Sequence, residues 1–299
     1  MKIPVAEPMA AAGLELLRSQ PGWQVVASNP KEYLQHLADA DALVVRSAVK
    51  VTSEVLAKAP RLRAIGRAGV GVDNVDIAAA TAAGVLVMNT PGGNAVAVAE
   101  HTLALMLAMA RSIPQASSST KNGLWEKKKF LGSELRGKTL GIIGLGSIGR
   151  EVARRARAFE MKVVACDPYV SLRAVEDVSV QLVEMGELYA ASDYIALHVA
   201  LTPETRRMIG REAFAGMKDG VRLVNCARGE LIDVAALREA IESGKVAGAA
   251  LDVFDQEPPP SSYPLFGLDR VIATPHIAGA TEEAQEIVGV RIAEQLAEY

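Results

Sequence analysis

The chain has 299 residues, of which half are hydrophobic and only 4% are aromatic. This length exceeds that of a usual single domain, and the aliphatic composition suits two α/β domains. The formal net charge of −3 gives no general attraction to nucleic acid or to acidic membranes. We therefore expect neither as a partner, and we expect individual arginines to bind any anionic substrate.

The cysteine pattern and the N-terminus bear on the cellular setting. Cys166 and Cys226 lie in or beside predicted buried strands, where a disulfide framework is implausible, so we expect a reduced, cytoplasmic setting. The N-terminus has no apolar signal region. The apolar stretch 95–110 is interrupted by Glu100 and His101, which favours a buried helix over a membrane span.

Short apolar strands alternate with helical patterns in the first part of the chain. The predicted strands are residues 3–6, 24–27, 42–45, 64–66 and 85–88. This alternation predicts a parallel sheet with helices on both faces and with ligand-binding loops at the carboxyl ends of its strands. Arg46 and Arg67 fall at two such ends. The turn cluster 89–94 then leads into a long helix, and we expect the chain to leave the first domain there.

A glycine-rich turn follows the next predicted strand. Residues 140–143 run directly into Gly144, Gly146 and Gly149. Glycines at this spacing let the chain turn sharply and approach a pyrophosphate, which the N–H groups at the start of a helix bind. The following strand ends at Asp167, eighteen residues past Gly149. A carboxylate there binds ribose hydroxyls and repels a 2′-phosphate, which favours NAD over NADP and argues against a turn without a ligand.

The alternation resumes beyond this turn and predicts a second sheet. Its further strands are residues 194–197, 222–225, 248–251 and 271–273. We predict an α/β protein with two doubly wound parallel sheets, a Rossmann NAD-binding domain being inserted in a flavodoxin-like substrate (cap) domain. The predicted ranges are 1–92 for the first part of the cap domain, 93–275 for the NAD-binding domain and 276–299 for a C-terminal helix that returns to the cap domain.

Three side chains at strand ends predict the chemistry. Arg228 presents a planar guanidinium that suits a substrate carboxylate, although an isolated arginine there would be interpreted as a surface or capping residue. His276 titrates near neutral pH and can take a hydroxyl proton as hydride leaves. Glu257 would orient His276 and favour its protonated form if the two are in contact.

Other candidates for the chemistry are weaker. His101 is interpreted as a packed residue of the apolar helix, whereas His198 ends a strand beside the expected cofactor cleft. We find no cluster with metal-ligand spacing and no hydrolase nucleophile, so we expect no metal. The lysine run 127–129 is typical of a solvated face, with attraction of a phosphate as the alternative.

Five stretches, taken in order, resemble the motifs of the D-isomer-specific 2-hydroxyacid dehydrogenases. They are residues 67–74, 89–94, 140–150, 225–229 and 252–259. The resemblance covers essentially the whole chain, and residues 125–135 resemble the branch of the family that oxidises phosphoglycerate. It implies Arg228, Glu257 and His276 as the catalytic residues, with His276 as acid/base, in agreement with the reasoning from the residues alone.

The resemblance also implies two sets of binding residues. Those implied for NAD are Val70, Gly144, Gly146, Ser147, Ile148, Gly149, Asp167, His198, Val199, Cys226, Ala227, Arg228, Asp252, His276 and Gly279. Those implied for the substrate are Arg46, Arg67, Gly69, Asn94, Arg228 and His276. Residues 198–201 depart from the family pattern, because His-Val-Ala-Leu replaces the more usual His-Thr-Pro-Leu and a threonine contact is missing.

The activity implied by the resemblance is NAD-dependent oxidation of 3-phosphoglycerate to 3-phosphohydroxypyruvate, the first step of serine biosynthesis. One alternative is a glyoxylate or hydroxypyruvate reductase or another D-2-hydroxyacid dehydrogenase. An alternative of another class is an NAD-sensing interaction protein that resembles the corepressors built on this fold.

Two expectations concern the assembly and the extent of the chain. The apolar helix that begins near residue 94 and the irregular arm that follows predict a homodimer or a higher homo-oligomer. The final helical pattern, residues 281–299, ends without a stop signal. We expect the sequence to be the catalytic portion of a longer chain, without its regulatory extension.

Overall fold

The computed structural model describes residues 1–171 and 179–299. The chain forms two compact units. The first comprises Met1–Asn94 and Ala280–Tyr299, and the second comprises Ala95–Gly279. The predicted boundaries lay after residues 92 and 275. The observed boundaries lie after residues 94 and 279, which is two residues later for the first boundary and four residues later for the second. The predicted α/β class with two parallel sheets is confirmed.

The sheet of the first unit has five parallel strands in the order β2-β1-β3-β4-β5. The strands are β1 (Lys2–Val5), β2 (Gln24–Ala27), β3 (Ala42–Val45), β4 (Ala64–Arg67) and β5 (Leu86–Met88). The helices of this unit are α1 (Ala11–Arg18), α2 (Ser53–Ala57), α3 (Ile77–Ala82) and α10 (Glu282–Glu298), with a 3-10 helix at Tyr33–His36.

Glycines allow the last helix to pack closely within the first unit. A Cβ on Gly66 of β4 would lie 2.8 Å from Cγ1 of Ile292 in α10, and a Cβ on Gly13 of α1 would lie 2.5 Å from the carbonyl carbon of Gly289. Helix α10 therefore covers one face of the sheet, where Ile292 is buried in the same core as Ile3 and Val44. A separate core fills the other face, as expected for parallel strands that are buried on both sides.

The sheet of the second unit has seven parallel strands in the order β12-β11-β10-β9-β6-β7-β8. The strands are β6 (Thr139–Ile143), β7 (Lys162–Cys166), β8 (Gln181–Leu182), β9 (Tyr194–Leu197), β10 (Val221–Asn225), β11 (Val246–Leu251) and β12 (Val271–Ala273). Strand order reverses at β6, which lies between β9 and β7. In open α/β sheets, ligands bind outside the carboxyl ends of the strands at such a reversal.

The described part of the second unit contains six helices and a 3-10 helix at Gly229–Leu231. They are α4 (Ala95–Arg111), α5 (Ile113–Lys121), α6 (Ser147–Ala158), α7 (Met185–Ala191), α8 (Arg211–Gly216) and α9 (Val234–Glu242). Helix α4 packs Leu103, Met106 and Ala110 into the core of this unit. Within residues 1–171 and 179–299, no single helix is long and apolar enough to cross a membrane. Only the pair α4 and α5, bent by 62°, passes that test, on length and composition alone.

Candidate active site

The glycine turn between β6 and α6 combines tight packing with one open position. Gly144 has a φ of +93°, and a Cβ there would lie 2.6 Å from the carbonyl oxygen of His198. A Cβ on Gly149 would lie 2.3 Å from the carbonyl oxygen of Gly144. By contrast, a Cβ on Gly146 would meet nothing within 4 Å. The turn thus requires glycine at its first and third positions and leaves the second open for a ligand to approach the backbone.

The N-terminus of α6 offers hydrogen-bond donors at this open position. Gly146 precedes the helix, which has no side-chain cap and no acidic residue in its first turn. The N–H groups of Ser147, Ile148 and Gly149 have no intrahelical acceptor, because they belong to the first turn. Together with the positive end of the helix dipole, these donors fit a pyrophosphate.

Asp167 directly follows β7, the strand that pairs with β6 beside the glycine turn. Its Oδ2 accepts the N–H of Leu145 at 2.8 Å, and its Oδ1 accepts the N–H of Tyr169 at 2.9 Å. A carboxylate oxygen can accept more than one hydrogen bond, so both oxygens retain capacity for ribose hydroxyls. The turn, the helix N-terminus and this carboxylate together fit a dinucleotide with an unmodified ribose.

Glu257 and His276 form an ion pair at the carboxyl edge of the same sheet. Oε2 of Glu257 lies 2.7 Å from Nδ1 of His276. The sequence could not establish whether these two side chains are in contact, and the structure shows that they are. The hydrogen bond to Glu257 raises the pKa of His276, and this outweighs the opposing effects of burial and of the positive charge of Arg228. Because Nδ1 is bonded to Glu257, a proton would be exchanged with a substrate at Nε2.

The pKa of Glu257 responds in the complementary direction. Burial alone would raise it, but the hydrogen bond from His276 and the N–H of Phe254, which donates to Oε1 at 3.0 Å, bring it below its usual value. The pair therefore favours an imidazolium beside a carboxylate.

Asp252 holds the loop that contains His276. Its side chain is fully buried. Oδ1 accepts the hydroxyl of Thr274 at 2.6 Å and the N–H of Ile277 at 2.9 Å, while Oδ2 accepts the N–H of Ala278 at 2.8 Å. The carbonyl oxygen of Asp252 accepts the N–H of His276 at 2.8 Å. These bonds fix His276 with a φ of +54°, a conformation that is uncommon for residues other than glycine.

His101 of α4 also belongs to this hydrogen-bond network, a role that the sequence did not reveal. Its Nε2 lies 3.2 Å from Oγ1 of Thr274 and 3.5 Å from Oδ1 of Asp252. Because the Thr274 hydroxyl donates its hydrogen to Asp252, its oxygen can only accept from His101, so Nε2 of His101 bears a proton. The packed residue expected at this position is therefore also a hydrogen-bond donor.

The same network controls the ionisation of Asp252. Burial would raise the pKa of Asp252, but hydrogen bonds from His101, from Thr274 and from the backbone lower it below its usual value. The carboxylate thus stays ionised inside the second unit.

Arg228 is placed by a buried residue that the sequence reasoning missed. Asn225 donates through Nδ2 to the carbonyl oxygen of Arg228 at 2.8 Å, and its Oδ1 accepts the N–H of Ala227 at 3.0 Å. Nη1 of Arg228 donates to the carbonyl oxygen of Ala227 at 2.6 Å. A Cβ on Gly229 would lie 1.9 Å from the carbonyl carbon of Phe254, so only glycine lets this turn pass the loop that leads to Glu257.

Further residues predicted to line the cofactor lie around the same strand ends. Burial lowers the pKa of His198 to about 4, so its ring is neutral at physiological pH. Burial raises the pKa of Cys226 to about 12 and keeps its thiol protonated. The Val199 side chain would lie 2.8 Å from a Cβ on Gly144, so it packs beside the turn without supplying a hydroxyl. Gly279 is the last residue of the second unit.

The predicted substrate residues of the first unit occupy neighbouring strand ends. Arg46 follows β3 and Arg67 ends β4, its neighbour in the sheet. The guanidinium of Arg67 lies across Gly69, where an added Cβ would be only 1.5 Å from its Nη1. The carbonyl oxygen of Val70 accepts from Nδ2 of Asn89 at 2.6 Å. Asn94 is the last residue of the unit before the chain enters α4.

The remaining predictions concern a metal ion and the lysine run 127–129. In the part of the chain that the structure describes, no group of His, Cys, Asp or Glu side chains could hold a metal ion. In the lysine run, Nζ of Lys129 lies 3.5 Å from Oε2 of Glu126 and 5.8 Å from the centre of the Phe130 ring.

Comparison with known proteins gives a consistent result. Residues 103–278 match the family model described as D-isomer specific 2-hydroxyacid dehydrogenase, NAD binding domain. D-3-phosphoglycerate dehydrogenase of Archaeoglobus fulgidus is 52% identical over 299 residues, covering 99% of this chain and 56% of that relative. The chain thus spans about half the length of the curated relatives it matches.

Solved structures agree over the full chain. A glyoxylate reductase from Paecilomyes thermophila has a TM-score of 0.88 and 34% identity, covering 99% of this chain and 94% of that one. An NAD-dependent formate dehydrogenase from Staphylococcus aureus in complex with NAD has a TM-score of 0.85 and 32% identity, with the same two coverages. The prediction of NAD as the cofactor is confirmed at the level of the domain.

Proposed function

Because the chain belongs to the family of D-isomer specific 2-hydroxyacid dehydrogenases, we propose that it oxidises 3-phosphoglycerate to 3-phosphohydroxypyruvate with NAD. This reaction is the entry step to serine biosynthesis. The observation that supports the chemistry best is the 2.7 Å contact between Glu257 and His276, with a raised pKa of His276, at the edge of the sheet that holds the dinucleotide turn. The identity of the substrate is supported by relatives with 52% and 50% sequence identity that are named D-3-phosphoglycerate dehydrogenase.

Proton transfer is assigned to His276. Nε2 takes the proton of the C2 hydroxyl as the C2–H bond breaks, and a carbonyl forms at C2. Bound NAD supplies the acceptor for the hydride. The imidazolium that results lies against the carboxylate of Glu257, which stabilises the positive charge. In the reverse direction, the same imidazolium donates its proton to the carbonyl oxygen.

Arg228 is assigned to substrate orientation. Its turn is fixed by Asn225, so the guanidinium presents its donors from a defined backbone. A planar guanidinium binds a carboxylate bidentately and stabilises negative charge at a neighbouring oxygen. We assign the C1 carboxylate and the C2 oxygen of the substrate to this residue.

Arg46 of the first unit is assigned to the phosphate. It follows a strand end and has a partly buried side chain held by the carbonyl oxygen of Pro8. This assignment would make Arg46 a determinant of selectivity between phosphorylated and unphosphorylated substrates.

The test of this function follows NADH absorbance with 3-phosphoglycerate and, in reverse, with 3-phosphohydroxypyruvate. We expect turnover by the wild type and a loss of about 100- to 10,000-fold in kcat for His276→Ala, the usual contribution of a general acid/base. His36→Ala, in a 3-10 helix of the first unit, is the matched control and should retain full activity. No turnover by the wild type, or full activity of His276→Ala, would refute the proposal.

A glyoxylate or hydroxypyruvate reductase is the second candidate, favoured by the likeness to the Paecilomyes enzyme. The two functions differ in whether the preferred substrate has a phosphate. A panel of phosphorylated and unphosphorylated 2-keto acids, tested with NADH and NADPH, separates them. If Arg46→Ala leaves the KM of the preferred substrate unchanged, the reductase is supported.

We also propose a homodimer or a higher homo-oligomer. The segment that follows α4 exposes large apolar side chains, with exposed fractions of 54% for Ile113, 84% for Trp125 and 93% for Leu131. Several large apolar side chains exposed in one segment are typical of an interface. Light scattering on the purified chain tests the proposal, and a monomer at micromolar concentration would refute it.

A cytoplasmic setting is supported by the two free thiols. Cys166 and Cys226 form no disulfide, and burial raises the pKa of each thiol. We expect fractionation of the native source to recover the protein with the cytoplasm.

A further inference from the structure

Glu7 is a buried carboxylate in the first unit, directly after β1. Its exposed fraction is 6%. Oε1 accepts the N–H of Arg46 at 2.7 Å and the N–H of Val49 at 3.1 Å, while Oε2 accepts the N–H of Ala48 at 2.9 Å. One side chain therefore receives three backbone donors from the loop that follows β3.

This arrangement requires a carboxylate. Backbone N–H groups can only donate, and both oxygens of an ionised carboxylate accept. A glutamine of the same shape would place its NH₂ group against at least one of the three donors, whichever way the amide is turned. A buried donor without an acceptor is costly, so the loop would have to move.

Arg46 is held at two further points in addition to its N–H group. The carbonyl oxygen of Pro8 accepts from Nη1 of Arg46 at 2.8 Å. Nδ2 of Asn74 donates to the carbonyl oxygens of Arg46 and Val49, both at 2.7 Å. The N–H group, carbonyl oxygen and guanidinium of Arg46 are thus all fixed by neighbouring residues of the first unit.

We propose that Glu7 is a positioning residue that fixes Arg46 for binding a terminal phosphate group, and that it thereby contributes to selectivity for phosphorylated 2-hydroxy and 2-keto acids. This inference rests on the proposed function, in which Arg46 binds the phosphate. A guanidinium whose backbone is already fixed loses less conformational entropy when it binds an anion. Glu7 itself need not touch the substrate, because it acts through the loop.

The experiment compares Glu7→Gln with wild type on 3-phosphohydroxypyruvate and on hydroxypyruvate, with NADH as the second substrate. We expect the KM of the phosphorylated substrate to rise about tenfold, the effect of one buried donor left without an acceptor. The KM of hydroxypyruvate, the KM of NADH and the kcat on both substrates should stay within about twofold. A general loss of stability would not raise the KM of one substrate while leaving the KM of the other unchanged.

Two further variants serve as controls. Asp76 caps α3 in the same unit by accepting the N–H of Ala79 at 2.9 Å, so Asp76→Asn removes an equal charge without touching the loop of Arg46. Both KM values should be unchanged in this variant. Glu7→Asp keeps both acceptor oxygens on a shorter side chain and should recover part of the selectivity.

The outcomes separate this inference from the function on which it rests. If Arg46→Ala raises the KM of the phosphorylated substrate selectively while Glu7→Gln changes both substrates equally or neither, the role of Glu7 is overturned and the function stands. If Arg46→Ala shows no selective effect, the assignment of Arg46 and the inference fall together. Should Glu7→Gln fail to fold, Asn74→Ala weakens the same loop from its other side, and absence of a selective rise in KM would overturn the proposal.

Discussion

Each unit places a buried carboxylate at the carboxyl edge of its sheet and uses it to hold a neighbouring loop. In the first unit, Glu7 receives three backbone N–H groups from the loop that contains Arg46. In the second unit, Asp252 receives two backbone N–H groups and the hydroxyl of Thr274 from the loop that contains His276. Two separate sheets thus share one means of ordering a loop that leaves a strand.

The consequences differ because the two loops contain different side chains. The charge of Asp252 lies near a titratable imidazole and adds to the raised pKa of His276. The loop of Glu7 contains a guanidinium, which stays charged at every physiological pH. The carboxylate of the second unit therefore influences the proton affinity of the side chain that its loop contains, whereas the carboxylate of the first unit influences only the geometry of its loop.

The largest expected effect comes from removing the carboxylate of the second unit. Asp252→Ala leaves the Thr274 hydroxyl and the N–H groups of Ile277 and Ala278 without their acceptor. The loop of His276 should then shift, and kcat should fall about 100-fold, as expected for misplacement of a catalytic group by about 1 Å. Steady-state kinetics with a circular dichroism check of folding measures this. A kcat within about twofold of wild type would contradict the role of Asp252 in the comparison.

The pH dependence of the rate tests the part of the comparison that concerns the proton affinity of His276. Glu257→Gln removes the largest contribution that raises the pKa of His276 above its ordinary value of 6.5. Oxidation requires neutral His276, so in the wild type the rate should rise with pH through a midpoint above 6.5. In the variant this midpoint should move to lower pH. The rate of the reduction reaction, which requires protonated His276, should likewise begin to fall at a lower pH. An unchanged midpoint in kcat/KM would contradict the pairing, whereas Glu7→Gln should leave the midpoint unmoved.

The same pair has a signature in stability. His276 has a raised pKa in the folded state, so its contribution is complete below its ordinary pKa of 6.5 and is lost as pH rises through the folded value. Glu257 has a lowered pKa, so its contribution is complete above 4.5 and is lost as pH falls through the folded value. Urea unfolding should show the full contribution of the pair between these two values, and Glu257→Gln should flatten that dependence.

The smallest expected effect comes from the outer part of the network in the second unit. His101→Leu removes one donor to Thr274 but leaves the bond between Thr274 and Asp252 intact. We expect the free energy of unfolding to fall by about 1 kcal/mol, the typical net value of one hydrogen bond. His101→Gln can still donate and is the matched control. A loss of stability equal in both variants would show that ring packing, and not the hydrogen bond, is what His101 provides.

The sequence was sufficient to predict the architecture because parallel buried strands leave a periodic apolar signal. All eleven predicted strands correspond to strands of the two sheets, whereas β8 was missed because it has only two residues. The strand-end rule also pointed to Arg228 and His276, since the carboxyl ends of parallel strands meet at one edge. The roles of these residues remain predictions.

The supporting residues could not be predicted, because their partners are distant in sequence. His101 and Thr274 are 173 residues apart, and Glu7 and Arg46 are 39 apart. A histidine in an apolar helix and a glutamate after a strand have no local pattern that reveals such contacts. Only the tertiary fold determines which loop a buried carboxylate will hold.

The return of the chain to the first unit has a consequence for biosynthesis. Translation delivers Met1–Asn94 first, but α10 emerges from the ribosome only after the whole of Ala95–Gly279. Until then, the sheet face around Ile3 and Val44 lacks the helix that covers it. The second unit is contiguous and can complete its core as it leaves the exit tunnel, whereas the first unit must wait with apolar surface exposed, a period in which chaperone binding would protect it.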